Sequence, residues 1–171
     1  MIGLAIGSVQ LVEHNPQWAI LAGAVCEEAR RAGAELFLDV QHVGSTAVPG
    51  LRAKPILDIA AAAASSDCIP GIIHRLTDVG YVYRGDLGED GGHLFVKSPS
   101  PDRRDIHLHV VLHDQAQWCN YLAFRDKLRA DAALRTQYAA LKAQLALTFA
   151  EDRRSYTAAK HTFIRQALKG L

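Results

Sequence analysis

Two short stretches of this chain carry the residue types that chemistry needs. In the first, His42 to Ile59, a small-residue turn at Gly44-Ser45-Thr46 is followed by two cations, Arg52 and Lys54. Asp58 then interrupts an apolar run from Pro55 to Ala62. Glycine lets the backbone approach a ligand closely, and Ser45 offers both an amide and a hydroxyl, which is how such turns cradle phosphate oxygens. A carboxylate in a strand that reads as buried must be hydrogen-bonded, paired with a cation or bound to a metal, because its desolvation is otherwise unfavourable. In the second stretch, Arg104 to Leu112, a period of two puts Asp105, His107 and His109 on one face and Ile106, Leu108 and Val110 on the other. Imidazoles at i and i+2 of a strand can share a metal ion, with Asp105 as a third ligand or as the group that orients one. Either His can instead serve as a general base near neutral pH.

Each feature also has a plain structural explanation. Gly44-Ser45 also fits an ordinary strand-to-loop turn, and Asp58 fits a structural ion pair with Arg52, Lys54 or a C-terminal Arg. The two His residues suit a solvated strand face, Asp105 a polar strand entry, and Arg52 and Lys54 an exposed loop.

The surrounding elements decide what these residues can reach. Leu36 to Val43 alternates as a strand before the turn, and Pro55 to Ala62 reads as a buried strand after it. Asn15-Pro16 predicts a helix start, with Trp18, Leu21, Ala22, Val25 and Ala29 at helical spacing up to Gly33. Pro70 opens a second helix that Gly80 ends, ahead of a strand at Tyr81-Val82-Tyr83. Gly85 to Gly92 holds four glycines and three acidic residues and is read as a long hairpin loop, with a lid as the alternative. His93 to Lys97 then pairs with Asp105 to Leu112 as a hairpin. Asp114 is expected to cap a helix with Trp118, Tyr121, Leu122, Phe124 and Leu128, followed by one with Leu134, Tyr138, Leu141, Leu145 and Phe149 and a last one with Tyr156, Ala159, Phe163 and Leu168. Val9 to Val12 reads as a strand. The fold class is therefore α/β, or α+β, with a C-terminal helical segment.

At 171 residues, with 49% hydrophobic and 22% charged, the chain is expected to form one domain, its α/β core over 1–113 and its helices over 114–171. The apolar opening is too short to span a membrane and lacks a basic start. Cys26, Cys68 and Cys119 show no CxxC spacing, which suits a reduced cytoplasmic protein without a structural zinc site. The net charge of +1 conceals a division. Residues 1–124 carry 9 Lys or Arg against 14 Asp or Glu, a net of −5, and residues 125–171 carry 10 against 4, a net of +6. Arg153, Arg154 or Lys160 on that basic part could reach phosphates, or simply form a solvated face. Long nucleic acid is a poor partner for a near-neutral chain with no basic stripe interleaved with aromatics.

The Gly-Ser pair, followed across a gap of twelve residues by an Asp on the next strand, resembles the signature of DNA polymerase β-type nucleotidyltransferases. The wording around it resembles the GrpB family (UPF0157): His42-Val43-Gly44-Ser45-Thr46, Val48-Pro49-Gly50-Leu51, Lys54-Pro55-Ile56, Asp58-Ile59, His107-Leu108-His109-Val110-Val111, Phe124-Arg125-Asp126 and Asp152-Arg153 with Tyr156-Thr157 and Ala159-Lys160. The resemblance covers nearly the whole chain. It implies a nucleotidyltransferase-like mixed β-sheet flanked by helices, but fold alone does not fix a substrate. Enzymes of that superfamily usually carry two carboxylates at alternate positions of one strand, able to bridge two ions about 3.5–4 Å apart. Here the position after the next from Asp58 is Ala60, a single-Asp pattern usual for GrpB proteins.

The resemblance also puts the Asp105 to Leu112 strand beside the Asp58 strand. That gives a mixed nitrogen and oxygen site of Asp58, His107 and His109, with Asp105 as a further metal ligand. Mg²⁺ or Mn²⁺ is the expected ion from the superfamily, while the His pair suits Mn²⁺, Zn²⁺ or Fe²⁺ better than Mg²⁺. The implied activity is transfer of a nucleoside monophosphate from an NTP to a small-molecule acceptor. In that reading Gly44, Ser45, Thr46, Arg52, Lys54 and Lys160 hold phosphates, and Asp58, His107 and His109 act on the reacting groups. The alternatives are a non-catalytic protein that binds a nucleotide or a coenzyme-A-type phosphate, and a metal-dependent hydrolase. GrpB-like domains joined to dephospho-coenzyme A kinase suggest an association with coenzyme A metabolism.

Overall fold

The computed structural model describes residues 2–88, 91–150 and 152–169; the Arg153 side chain, and Glu89 and Asp90 of the glycine-rich loop, lie outside the described residues. Helix α1 (Gln17–Gly33) starts where Asn15 and Pro16 predict: the Asn15 side chain accepts a hydrogen bond from the Gln17 amide at 2.9 Å. It buries Trp18, Ala22, Cys26, Ala29 and Gly33, a single stripe at helical spacing. Helix α2 (Ile69–Asp78), with Pro70 in its first turn, buries Ile69, Ile72 and Leu76.

These two helices cover one face of a five-stranded sheet ordered β2 (Phe37–Val43), β3 (Leu57–Ala63), β7 (Ile106–Leu112), β5 (His93–Lys97) and β4 (Val82–Asp86). Only β3 and β7 run parallel; the other neighbours are antiparallel. The core on the α1 and α2 side takes Ile59, Ala61 and Ala63 from β3 and Leu108 and Val110 from β7. Alternation therefore sends Asp58, Ala60, Ala62, His107, His109 and Val111 to the opposite face.

That second face is covered by helix α3 (Ala116–Ala130), whose Trp118 joins Val43, Ala60, Ala62 and Val111 in a smaller cluster. Helix α4 (Ala132–Thr148) and helix α5 (Arg153–Leu168) pack on α3, with Leu128, Tyr138, Val48 and Leu51 in a third cluster. Asp131 caps α4 through the Leu134 amide, and Asp152 caps α5 through the Ser155 amide and hydroxyl. Among the described residues no helix is long and apolar enough to cross a membrane.

Three sequence expectations change. Val9 to Val12 forms no strand but a single bridge between Val12 and Ala53, and the N-terminal strand is instead β1 (Leu4–Ala5), paired with β6 (Arg103–Arg104). Asp114 does not cap α3; Gln115 occupies that position with no side-chain bond. The strand expected at Tyr81 starts one residue later, because the buried Tyr81 closes the turn through its amide to the Leu76 carbonyl.

Candidate active site

Register assembles the site. Across the parallel pair, Asp58 stands opposite His107 and Ala60 opposite His109. One ligand atom from each of Asp58, His107 and His109 lies within 4.8 Å of the others. His107 Nδ1 approaches Asp58 Oδ1 at 3.3 Å. His109 Nδ1 lies 3.0 Å from the Gly91 carbonyl, which accepts its proton and leaves Nε2 as the nitrogen for a ligand. The His109 ring also packs at 5.5 Å from Tyr121 of α3.

Burial opposes ionisation of Asp58. The His107 hydrogen bond and the charges of His107, His109 and Lys54 outweigh it, holding the carboxyl below the usual carboxylate range. Gly44 supplies the room for this side chain. Its φ of 69° lies in the left-handed region, and a Cβ there would sit 2.6 Å from Asp58 Oδ2.

The next three residues, Ser45–Ala47, form one 3₁₀ turn fixed from three directions. Thr46 Oγ1 lies 2.9 Å from His42 Nε2 and donates to the Ile56 carbonyl at 3.4 Å, and Arg129 Nε of α3 donates to the Ala47 carbonyl at 3.0 Å. Arg125, from the same helix, donates to the His42 carbonyl and to Gln41. The Phe124-Arg125-Asp126 block thus ties α3 to the end of β2.

Ser45, Thr46, Lys54, Asp58, His107, His109, Lys142, Tyr156 and Lys160 line one cavity of about 200 Å³. It is smaller than the roughly 300–1,000 Å³ typical of pockets that enclose a whole drug-sized ligand. Lys54 and Lys160 flank the Tyr156 ring, their Nζ atoms 5.1 and 4.7 Å from its centroid.

Three predicted site residues lie elsewhere. Arg52 turns away to pair with Glu13 at 3.0 Å, while its own carbonyl takes a bond from Lys142. Asp105 precedes β7 and its carboxylate faces Arg103 at 3.4 Å and the Gly3 backbone, so it is not a member of the Asp58, His107 and His109 cluster. Arg154 is exposed and lines no part of the cavity.

The sequence reading missed Lys142. It is 2% exposed, and burial together with the charges of Lys160 and Lys54 holds its pKa well below the ordinary lysine value despite the attraction of Asp58. Its signal is a lysine four residues after Tyr138, on the stripe of α4 that turns inward. His42 was also missed as a support; burial first, then Arg129, Arg125 and His14, lower its pKa to about 4 against the attraction of Asp58.

The family model described as GrpB protein matches residues 8–170. The chain belongs to the GrpB family. It is 32% identical over 171 residues to the Glutamate-rich protein GrpB of Alkalihalophilus pseudofirmus, covering 98% of both chains. The crystal structure of conserved protein GrpB from Enterococcus faecalis superposes with a TM-score of 0.81 at 31% identity, covering 92% of this chain and 94% of that one. The Cid1 poly (U) polymerase superposes at TM-score 0.55 and 11% identity over 78% of this chain and 44% of that one, a likeness of fold alone that makes the sheet nucleotidyltransferase-like. A dephospho-CoA kinase of Mycolicibacterium paratuberculosis is 26% identical over 189 residues, matching 97% of this GrpB chain and 46% of its own length.

Proposed function

We propose that this protein is a metal-dependent nucleotidyltransferase that moves a nucleoside monophosphate from an NTP to a small-molecule acceptor. The observation that carries the reading is the shared cavity, in which the Ser45-Thr46 turn and three lysines meet a carboxylate and two imidazoles. Asp58, His107 and His109 fit one divalent ion by donor type and spacing, and such an ion, when bound, would neutralise charge on phosphate oxygens. The chain's own part is positioning and charge. The turn and Lys54 and Lys160 hold the phosphates, and His109 Nε2 is placed to take a proton from an acceptor when it is not a ligand.

A second reading, non-catalytic binding of a nucleotide or a coenzyme-A-type phosphate, is favoured by one observation. Ala60 lies buried in an apolar cluster where the superfamily carries a second carboxylate. The dephospho-CoA kinase relative supports coenzyme A as the ligand type.

The test is pyrophosphate release from each NTP with Mg²⁺ or Mn²⁺ and an acceptor pool, against an Asp58→Asn control. Release that disappears in the variant supports nucleotidyl transfer. Thermal stabilisation by nucleotide or coenzyme A without release supports the binding protein. Release of inorganic phosphate or another hydrolysis product, with metal but no NTP preference, would point to a metal-dependent hydrolase instead.

A further inference from the structure

Lys142 differs from the other two lysines of the cavity. Lys54 and Lys160 are half-exposed and sit against the Tyr156 ring, as charged phosphate-contacting groups do. Lys142 lines the same cavity at 2% exposure, and its Nζ lies 5.0 Å from the Tyr138 ring centroid. Its hydrogen bond goes to the Arg52 carbonyl at 2.5 Å, and among the described residues no carboxylate forms an ion pair with it. A desolvated ammonium with two cationic neighbours and no counterion is unfavourable, and an amine so placed is held neutral, which is the usual way to activate a lysine as a nucleophile. The charged and titratable groups around it are Lys54 before β3, Asp58 on β3, His107 and His109 on β7, Tyr138 on α4, and Tyr156 and Lys160 on α5. Of these only Asp58 carries a negative charge, and it is already engaged with His107.

We propose that Lys142 is the first acceptor of the nucleotidyl group: its Nζ attacks the α-phosphorus of a nucleoside triphosphate held in the cavity, giving a nucleotidyl-lysine phosphoramidate. The inference rests on the nucleotidyl-transfer reading of the same cavity. In the first step a P–N bond forms and the bond from the α-phosphorus to the bridging oxygen breaks. The electron pair leaves with pyrophosphate, which also carries away the proton shed by nitrogen. In the second step the acceptor hydroxyl or amine forms its bond to phosphorus, the P–N bond breaks, and the acceptor's proton returns to Nζ. The Arg52 carbonyl suits both states. A neutral amine donates one hydrogen to it and keeps its lone pair for attack, and the phosphoramidate nitrogen retains one hydrogen for the same bond.

The experiment incubates the full chain with Mn²⁺ or Mg²⁺ and each NTP in the absence of acceptor, so that the second step cannot proceed. Intact-mass spectrometry on the denatured protein then reads the adduct, with pyrophosphate measured in parallel. The expected result is one added nucleotidyl group per chain, mapped to Lys142, stable in alkali and lost in mild acid as a P–N bond is. It is absent from Lys142→Arg and from Lys142→Met, whose apolar chain suits the buried position and whose melting temperature reports folding. In the metal-free protein, competitive acetylation at pH 7 should label Lys142 at least tenfold faster, relative to its accessibility, than Lys54 or Lys160. Pyrophosphate released only once acceptor is supplied, with no adduct in its absence, or an adduct mapped to another residue, would overturn the role of Lys142 and leave nucleotidyl transfer standing. No pyrophosphate with any NTP, with or without acceptor, and no adduct would overturn both.

Discussion

Ala60 and His109 are register partners across the parallel β3 and β7 pair, two residues along from Asp58 and His107. A methyl group therefore stands where a second carboxylate would complete a two-ion site, and an imidazole stands on the adjoining strand. Ala60 is fully buried with Val43, Ala62, Val111 and Trp118. Ala60→Asp should therefore not act as a repair. The introduced carboxylate enters an apolar cluster beneath α3, and we expect a loss on the order of 3 kcal/mol or more in urea unfolding. An unchanged midpoint with Mg²⁺ affinity gained would show that this position is a vacant ligand site.

Ligand chemistry then sets the preferred ion. One carboxylate and two imidazoles favour Mn²⁺, Zn²⁺ or Fe²⁺ over Mg²⁺. Calorimetric titration of the chelator-treated protein should give one equivalent of Mn²⁺ or Zn²⁺ bound more tightly than Mg²⁺. His109→Ala and Asp58→Asn should each weaken that binding tenfold or more. Equal affinity in His109→Ala would remove the imidazole from the site.

Gly44→Ala tests the turn and the carboxylate together. The added Cβ meets Asp58 Oδ2 at 2.6 Å, and a backbone at φ 69° and ψ −170° costs a non-glycine residue about 1–3 kcal/mol. We expect a lowered melting temperature and a metal affinity that falls further than that of a variant equally destabilised elsewhere, such as Asp131→Ala at the α4 cap. Equal losses in the two would make Gly44 a turn residue only.

Much of this was legible in the chain because period and turn chemistry are local. The alternation of His107 and His109 with Ile106, Leu108 and Val110 placed two imidazoles on one face, and Asn15-Pro16 placed α1. What sequence could not supply was the partner of each polar group across the fold. Arg52 is adjacent to the site in sequence yet reaches Glu13, while Lys142, ninety residues later, donates to the Arg52 carbonyl. Asp105 shares the strand period with the His pair, but it lies before β7 begins and pairs with Arg103. Lys142 was hidden for the opposite reason, since a lysine in a helical pattern reads as solvated until packing shows which stripe is buried.

His42 should give the protein an acid-sensitive turn. In the unfolded chain it titrates near 6.5 and in the folded chain near 4. Below about pH 6.5 the unfolded state binds a proton that the folded state refuses, so stability falls as pH drops from 6.5 towards 4 and this contribution then levels off. Above 6.5 the group contributes no pH dependence. Asp58, held below the ordinary carboxylate range, stays ionised across that window. His42→Gln, which keeps a donor for Thr46 Oγ1, should melt with a shallower decline between pH 6.5 and 4 than the wild type. Parallel curves for the two would mean that His42 is exposed enough to titrate normally.

Asp152 links helix capping to the cavity. Its carboxylate accepts from the Ser155 amide at 3.0 Å and the Ser155 hydroxyl at 2.6 Å, one turn ahead of Tyr156 and two ahead of Lys160. Removing an N-cap of this kind costs about 0.5–2 kcal/mol. Because Tyr156 and Lys160 line the cavity from the first turns of α5, fraying there also loosens the cationic wall. Asp152→Ala should therefore lower the melting temperature and weaken binding of inorganic tripolyphosphate severalfold. Metal affinity at Asp58, His107 and His109, which are carried by β3 and β7, should be unchanged. Tripolyphosphate binding at wild-type strength in a chain that has lost the expected stability would detach the phosphate role from α5, and leave Lys54 and the Ser45-Thr46 turn as the anion contacts to examine.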